Sequence, residues 1–421
     1  MGVKHRIFYG WWVVTACFFI ALCMGGIIFC GFTAFFEPMA NEFGWSYAQI
    51  SLASSLRGLE MGFLAPLLGI LVDRWGPRKL IFGGTIIVGL GLMLLSRTTS
   101  LSMFYGAFIL VGIGISACSA TVLMTAVSNW FRRKVGMAIG IMTCGWGLSG
   151  LLVPVIVRLI DVFDWRTAIV FLVLGMWVIS LPLSLLVRHK PEQYGYLPDG
   201  EVSSGTILDK GLTLAQTAEE DIGARQALKS TSFWHITLAF TCQMMMVSAV
   251  ITHVMPYLSS IGIARATSSL VASAVALLSI SGRLGFGWLG DKHDKRRVTA
   301  GAFIAMTLGL LCFEYASILG GAWLLVPFLI LFGAGYGGGT TIRATLLREY
   351  FGKRKFGTIL GFTMGIMALG NIIGAPLAGW VFDKWGSYHG IWIAFAGLAI
   401  AALIVIVTTP KARLGNQGVL R

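Results

Sequence analysis

The sequence predicts an all-helical membrane protein, with twelve transmembrane helices arranged as two related six-helix bundles. Three observations predict this class. Of the 421 residues, 56% are hydrophobic and only 12% are charged, about half the charged fraction of an average soluble domain. The apolar residues form about twelve runs long enough to cross the ~30 Å hydrocarbon layer, and rare residues recur at one spacing between the two halves. A soluble protein would expose large apolar patches, which argues against soluble enzymes and DNA-binding proteins.

Charges and Pro, Gly or Ser residues set the limits of each predicted span. The spans are 9–36, 46–72, 80–96, 101–128, 136–160, 166–187, 233–258, 266–290, 298–319, 322–347, 357–381 and 390–409. All seven cysteines fall inside these runs without CxxC spacing. We therefore predict free thiols, with neither a disulfide framework nor a metal site.

The basic residues predict the orientation, because loops rich in Lys and Arg resist translocation. Of the 32 Lys and Arg residues, 24 fall on the side of the N-terminus, five on the opposite side and three inside spans. Both termini are thus expected in the cytoplasm, in a bacterial inner membrane. The net charge of +14 is then a topology signal, and we expect no nucleic-acid partner.

A polar linker divides the chain into halves. Residues 188–232 contain Pro191, Pro198 and Gly200, so we predict bundles at 1–187 and 233–421. The amphipathic piece 212–228 either lies along the membrane surface or is simply solvated.

The halves are related by duplication. Four pairs of rare residues share a separation of 218: Pro38 with Pro256, Gly44 with Gly262, Gly69 with Gly287, and Asp73 with Asp291. Two repeats of this kind are expected to enclose a solute cavity near the membrane midplane.

A motif follows the second predicted span. Residues 69–79 read Gly-Ile-Leu-Val-Asp-Arg-Trp-Gly-Pro-Arg-Lys, with an echo at 287–297 in which Asp294 replaces the second glycine. The motif resembles the cytoplasmic signature of the major facilitator superfamily. The resemblance implies a cytoplasmic gate that involves Gly69, Asp73, Arg74, Gly76, Arg78 and Asp291. Physically, Asp73 can cap a neighbouring helix N-terminus; membrane anchoring by basic residues alone would need neither a carboxylate nor a glycine.

Further motifs narrow the resemblance. Residues 129–140 read Asn-Trp-Phe-Arg-Arg-Lys-Val-Gly-Met-Ala-Ile-Gly, and 9–12 read Tyr-Gly-Trp-Trp. These segments, with 43–46 and His253-x-x-Pro256, are similar to monocarboxylate transporters and oxalate/formate exchangers. The acidic-glycine signature of the animal carriers is missing from the first span. This resemblance implies transport of a small organic anion with proton symport or anion exchange.

Arg283 is the most informative charge inside a span, because ionisable groups at membrane depth are costly and need a partner or a wet cavity. No acidic residue lies three or four positions away on its helix, so an internal pair is excluded. Its guanidinium can bind a carboxylate through two parallel hydrogen bonds. The resembled carriers bind the substrate anion with such an eighth-helix arginine, four residues after an aspartate; here that position is Ser279. A pair with another helix is the alternative.

Other polar residues inside spans are candidates for binding or coupling. Arg57 and Glu60 lie three apart on one helical face, either as a neutralising pair or with Glu60 as a proton carrier and Arg57 contacting the anion. His253 either titrates or is a structural histidine. Tyr336 and Asn371 are expected to donate hydrogen bonds into the cavity.

We expect Arg343, near the inner end of the tenth span, to snorkel to the cytoplasm.

The leading hypothesis is therefore a secondary transporter of small organic anions, most of all monocarboxylates, acting by alternating access. An exporter of drugs or other metabolites keeps the same fold, whereas a membrane sensor that binds solute without moving it belongs to a different class. A membrane enzyme is least favoured, because no catalytic constellation or nucleotide loop is present. We expect a monomer with no cofactor, whose partners are the anion, protons and membrane lipid.

Overall fold

The computed structural model describes residues 8–45, 47–194, 196–197, 199, 223–318 and 322–410, and all regular elements in these ranges are helical. The α-helices are α1 Tyr9–Met24, α2 Phe36–Phe43, α3 Tyr47–Trp75, α4 Pro77–Ser96, α5 Leu101–Ala117, α6 Ala120–Trp130, α7 Val135–Leu148, α8 Val153–Phe163, α9 Trp165–Leu186, α10 Ala224–Lys229, α11 Thr231–Ser260, α12 Arg265–Lys292, α13 Lys295–Ile318, α14 Leu325–Phe351, α15 Phe356–Trp385 and α16 Ile391–Thr408. Residues 212–222 of the predicted amphipathic piece 212–228 lie outside the described residues.

Eleven segments of the described chain are long and apolar enough to cross a membrane, and each coincides with a predicted span. The predicted span 46–72 corresponds to α3, which is not among the eleven. This helix has 29 residues, or about 44 Å at 1.5 Å per residue, which exceeds the hydrocarbon thickness. We therefore count α3 as the twelfth membrane helix.

Two predicted spans are irregular where they meet. The first continues from α1 through a π-helical turn at Gly25–Cys30 and a 3₁₀ turn at Gly31–Phe35. The fifth breaks between α7 and α8, where Pro154 starts a new helix. A Cβ atom on Gly25 would lie 2.7 Å from the Cβ atom of Ser149, within that break. The glycine thus lets the two irregular segments pack closely.

The chain forms two compact units. The first contains Met1–Glu219 together with Lys353–Phe362, and the second contains Glu220–Gly352 and Thr363–Arg421. Residues 353–362, which include the start of α15, therefore belong to the first unit although they come from the second half of the sequence. In the first unit α4 packs on α5 and α9, and in the second α14 packs on α12 and α13.

Equivalent positions of the two repeats share a backbone conformation in one loop and differ in another. Gly44 and Gly262 both have positive φ angles, of 66° and 82°, as helix termini often require. Gly76, with φ 83°, leads into α4, where Pro77 occupies the first turn. At the matching turn Asp294 instead accepts hydrogen bonds from the backbone N–H groups of Arg296 and Arg297. The carboxylate caps α13, which explains the departure from the motif.

Candidate functional sites

Asp73 caps the N-terminus of α15. One carboxylate oxygen accepts a hydrogen bond from the Gly357 N–H at 3.0 Å, and the other accepts from the Thr358 N–H at 2.7 Å and the Thr358 hydroxyl at 2.6 Å. These backbone donors have no partner inside the helix, and the helix dipole favours a negative charge there. The carboxylate of the motif therefore fixes the start of a helix that lies 284 residues further along the chain.

The motif glycines permit this contact. A Cβ atom on Gly69 would lie 2.3 Å from the carbonyl oxygen of Gly357, and one on Gly361 would lie 2.4 Å from that of Ala65. Gly76 packs beneath His189, whose ring would be 3.0 Å from an added Cβ atom. The end of α3 and the start of α15 thus approach backbone to backbone, which larger residues would prevent.

The remaining gate candidates do not share this geometry. The side chains of Arg74 and Arg78 are exposed, and Asp291 is half-buried in the last turn of α12. The exposed arginines are placed as the positive-inside rule predicts for anchoring residues.

The aromatic motifs near the N-terminus and in the α6–α7 loop hold the beginning of the linker. The Trp130 indole donates to the Arg188 carbonyl at 3.0 Å, and the Arg188 guanidinium lies 4.4 Å from the Tyr9 ring centroid. The Asp199 carboxylate accepts hydrogen bonds from the backbone N–H groups of Arg132 and Arg133. These motifs therefore have a structural task in the first unit.

The loop before α15 also contacts the linker. The Lys353 amine lies 2.9 Å from the Glu192 carboxylate, and both residues belong to the first unit. Half of the Glu192 side chain is exposed, so this pair contributes little stability by itself.

Arg283 is buried in the second unit, with only 6% of its surface exposed. It lies in α12 where that helix packs closely against α14, because a Cβ atom on the preceding Gly282 would fall 2.0 Å from the Ala334 carbonyl oxygen. A buried guanidinium needs hydrogen-bond acceptors or an anion, and a cation at this depth can select for negatively charged solutes.

Arg343 corrects a prediction, because it does not snorkel. Only 3% of its surface is exposed, so the side chain is enclosed by the second unit and does not extend to the membrane surface. The side chain turns towards α11, where the Phe240 ring centroid lies 5.7 Å from the guanidinium carbon. The half-buried Tyr336, two helical turns earlier on α14, is close enough for an electrostatic interaction with it.

His253 and Asn371 lie at the surface of the second unit. One ring nitrogen of His253 is 2.9 Å from the Tyr388 hydroxyl, and the other is 2.9 Å from the Ala375 carbonyl oxygen. Both nitrogens are thus engaged within the protein, as in a structural histidine. The Asn371 side chain is exposed, and its backbone carbonyl accepts a hydrogen bond from Ser248.

Glu60 belongs to the first unit. One of its carboxylate oxygens is buried without a hydrogen-bond partner among the described residues. It packs over Gly112, where an added Cβ atom would fall 1.6 Å from that oxygen. The Arg57 side chain lies outside the described residues, so its pairing with Glu60 stays a prediction.

Sequence reasoning missed Glu314, which is fully buried in α13. Its carboxylate lies 2.5 Å from the His389 ring and accepts a hydrogen bond from the Gly390 N–H. The signal was present in the sequence, because Glu314 is the single acidic residue in the predicted span 298–319.

These features define a multi-pass integral membrane protein built from two helical units. The chain belongs to the Major Facilitator Superfamily, whose family model matches residues 14–284 and 254–419. It is therefore a transporter of that superfamily, and the predicted fold class is confirmed.

Relatives and solved structures agree with this assignment. Monocarboxylate transporter 12 of Xenopus laevis is 26% identical over 399 residues, which cover 91% of this chain and 85% of the relative. Monocarboxylate transporter 13 of Bos taurus is 26% identical over 414 residues, which cover 96% and 89%. The proton:xylose symporter XylE shares the fold with a TM-score of 0.75, 13% identity and 96% coverage of both chains. The human organic anion transporter MFSD10 has a TM-score of 0.71 at 13% identity, covering 94% of this chain and 99% of that one.

Proposed function

We propose that this protein carries small monocarboxylates, of the lactate and pyruvate class, across the bacterial inner membrane by alternating access. The observation that carries the proposal is the burial of Arg283 at the close approach of α12 and α14. An arginine fork recognises a carboxylate with two parallel hydrogen bonds, and the low-polarity surroundings strengthen them. The names of the 26% identical relatives support the same substrate class.

The gate of this transporter is proposed to involve the Asp73 cap on α15. Opening a gate requires contacts that can be made and broken at modest cost, and a helix cap contributes about 1 kcal/mol. Asp73 and Gly69 act together in this proposal, since the cap depends on the close approach that the glycine permits. The proposed orientation has both termini in the cytoplasm, which the distribution of basic residues among the loops supports.

Coupling is proposed to use either proton symport or exchange of one anion for another. Glu60 and His253 are the proton-carrying candidates, with Arg57, Tyr336 and Asn371 as further contacts of the anion. Glu60 is supported by its buried carboxylate oxygen, which has no hydrogen-bond partner among the described residues.

The test is counterflow in liposomes. Purified protein is reconstituted, and uptake of labelled lactate, pyruvate, formate and oxalate is measured for the wild type and Arg283→Gln. We expect the substitution to reduce carboxylate uptake at least about 30-fold, because it removes a buried charged partner worth 2 kcal/mol or more. Arg158→Gln is the control, since Arg158 is exposed on α8 and its loss leaves uptake unchanged.

Two results would contradict the proposal. Wild-type vesicles that move none of the four acids would exclude the substrate class. An Arg283→Gln variant with full activity would show that Arg283 is not part of the binding site.

An imposed pH gradient tests the coupling, because uptake that does not respond to the gradient would rule out proton symport and leave anion exchange.

A further inference from the structure

The buried positive charge of Arg343 is only partly compensated by the described residues of the protein. Its Nε and Nη1 atoms are buried, and neither has a hydrogen-bond partner in the described part of the chain. None of the ion pairs found among these residues includes it. Arginine stays protonated under all ordinary conditions, so it cannot escape the cost of burial by losing its charge.

Arg343 lies on a face of α14 that carries polar, uncharged side chains. Tyr336, Thr340 and Arg343 recur along one face of α14, and α11 covers this face with Phe240 and Gln243. The Phe240 ring offers its negative face to the cation at 5.7 Å, a contact of moderate strength. Gln243 fits only because Gly339 has no side chain, since an added Cβ atom would lie 1.9 Å from its amide nitrogen.

Arg343 lies further along α14 than the point where the neighbour of Arg283 packs. Gly282, the neighbour of Arg283, packs against Ala334 on α14, and Ala334 precedes Arg343 by nine residues. Nine residues correspond to about 13 Å of helix, which is longer than a lactate or pyruvate molecule.

We propose that Arg343, with Tyr336 beside it, forms a second carboxylate-binding position in the second unit. The assignment rests on the proposed function for its ligand class. A carboxylate there would supply the two acceptors that the guanidinium lacks and would neutralise its charge. The transported anion would then occupy two stations, first at one arginine and then at the other.

The experiment measures melting temperature in detergent while sodium lactate or oxalate is added at constant ionic strength. Four proteins are compared: the wild type, Arg283→Gln, Arg343→Met and the double variant. We expect Arg283→Gln to retain a ligand-dependent rise of about 2–5 °C at saturation, and the double variant to lose it. Sodium chloride at equal ionic strength is the reference salt, and we expect it to give no such rise.

The ligand-free melting temperature distinguishes a binding arginine from one that only stabilises the fold, because replacing a stabilising arginine would lower it. Methionine has similar length without the charge, so Arg343→Met should melt no lower than the wild type in ligand-free buffer, because an uncompensated buried charge has been removed. Arg343→Lys keeps the charge but lacks the fork, and we expect a smaller ligand response. A ligand-free melting temperature well below that of the wild type would overturn the proposal.

The remaining outcomes separate this proposal from the transport function. If Arg283→Gln abolishes the whole response while Arg343→Met responds like the wild type, the second position does not exist. An equal rise with chloride would also overturn it. If the double variant alone loses the response but wild-type liposomes move no carboxylate, the binding position stands and the proposed function fails.

Discussion

Arg166 in the first unit and Arg343 in the second unit show two ways to place a guanidinium in a helical membrane protein. Arg166 donates to the Ser96 and Thr98 carbonyls at 2.7 and 2.9 Å and to the Glu42 carboxylate at 2.6 Å. Arg343 is far more buried, yet its Nε and Nη1 atoms lack any such partner among the described residues. The half-buried Arg166 thus has several hydrogen-bond partners, whereas two nitrogen atoms of the buried Arg343 have none among the described residues.

The difference in hydrogen bonding distinguishes an arginine that holds the fold together from one that does not. Arg166 joins the loop between α4 and α5 to the end of α2 and the start of α9, so it holds several segments together. Three of its five N–H donors are engaged by these partners. Arg343 contributes no comparable link, and evolution of a stable fold alone would favour an apolar residue in its place.

The largest effect on stability is expected from Arg166→Met. The substitution removes the donor to two carbonyls and to one Glu42 carboxylate oxygen, while the other oxygen keeps its hydrogen bond from the Trp165 indole. We expect a loss of about 2 kcal/mol in the free energy of unfolding, or roughly 4 °C in melting temperature. Arg158→Met serves as the control, because Arg158 is exposed on the neighbouring α8. Equal melting temperatures for the two variants would break the comparison with Arg343.

A smaller effect on stability is expected from Asp73→Ala. This substitution removes a carboxylate that has hydrogen-bond partners and whose contacts are proposed to break when the gate opens. Loss of the cap on α15 should cost about 1 kcal/mol and change the rate of carboxylate counterflow about fivefold. Asp294→Ala is the matched control, since it removes a cap from α13 outside the proposed gate. We expect it to lower the melting temperature similarly and leave counterflow intact; the same change in counterflow for both variants would contradict the gate.

The smallest effect concerns the acid side of the Glu42 titration. The hydrogen bond from Arg166 holds the pKa of Glu42 below its usual value, although burial acts in the opposite direction. The folded state therefore binds this proton less readily than the unfolded state. The stabilisation is complete above the unfolded pKa of about 4.3 and is lost as the pH falls through the folded value.

This titration can be measured by thermal melting between about pH 6 and pH 3.5. Glu42→Gln cannot titrate, so its melting temperature should fall less steeply over this range than that of the wild type. Parallel curves would show that the pair adds nothing to stability, as many exposed ion pairs do.

The spans were predictable from the sequence because the bilayer imposes a length on every apolar run. Even the break at Pro154 and the irregular segment at Gly25 and Gly26 coincide with helix-breaking residues. The cap formed by Asp73 follows from its place in the motif, but its partner, Thr358, does not. A contact between residues 285 positions apart depends on packing that no local pattern contains.

The burial of charges was less predictable. The position of Arg343 near a predicted span end favours snorkelling, yet the side chain packs under α11. Snorkelling depends on which helix face meets lipid, and the glycine-rich α14 has small residues on several faces, which obscures that face. Glu314 shows the reverse case, because its position inside a span indicated a buried carboxylate that only the structure pairs with His389.

The packing of Gly69 against the Gly357 carbonyl also gives experimental access to the transport cycle. With only 2.3 Å between that oxygen and an added Cβ atom, a single methyl group would act as a wedge at the start of α15. Gly69→Ala would then disfavour conformations that contain this contact without removing any polar group. Because a bias of about 3 kcal/mol changes a two-state ratio more than 100-fold, one carbon atom is enough to enrich the alternative state for structural study.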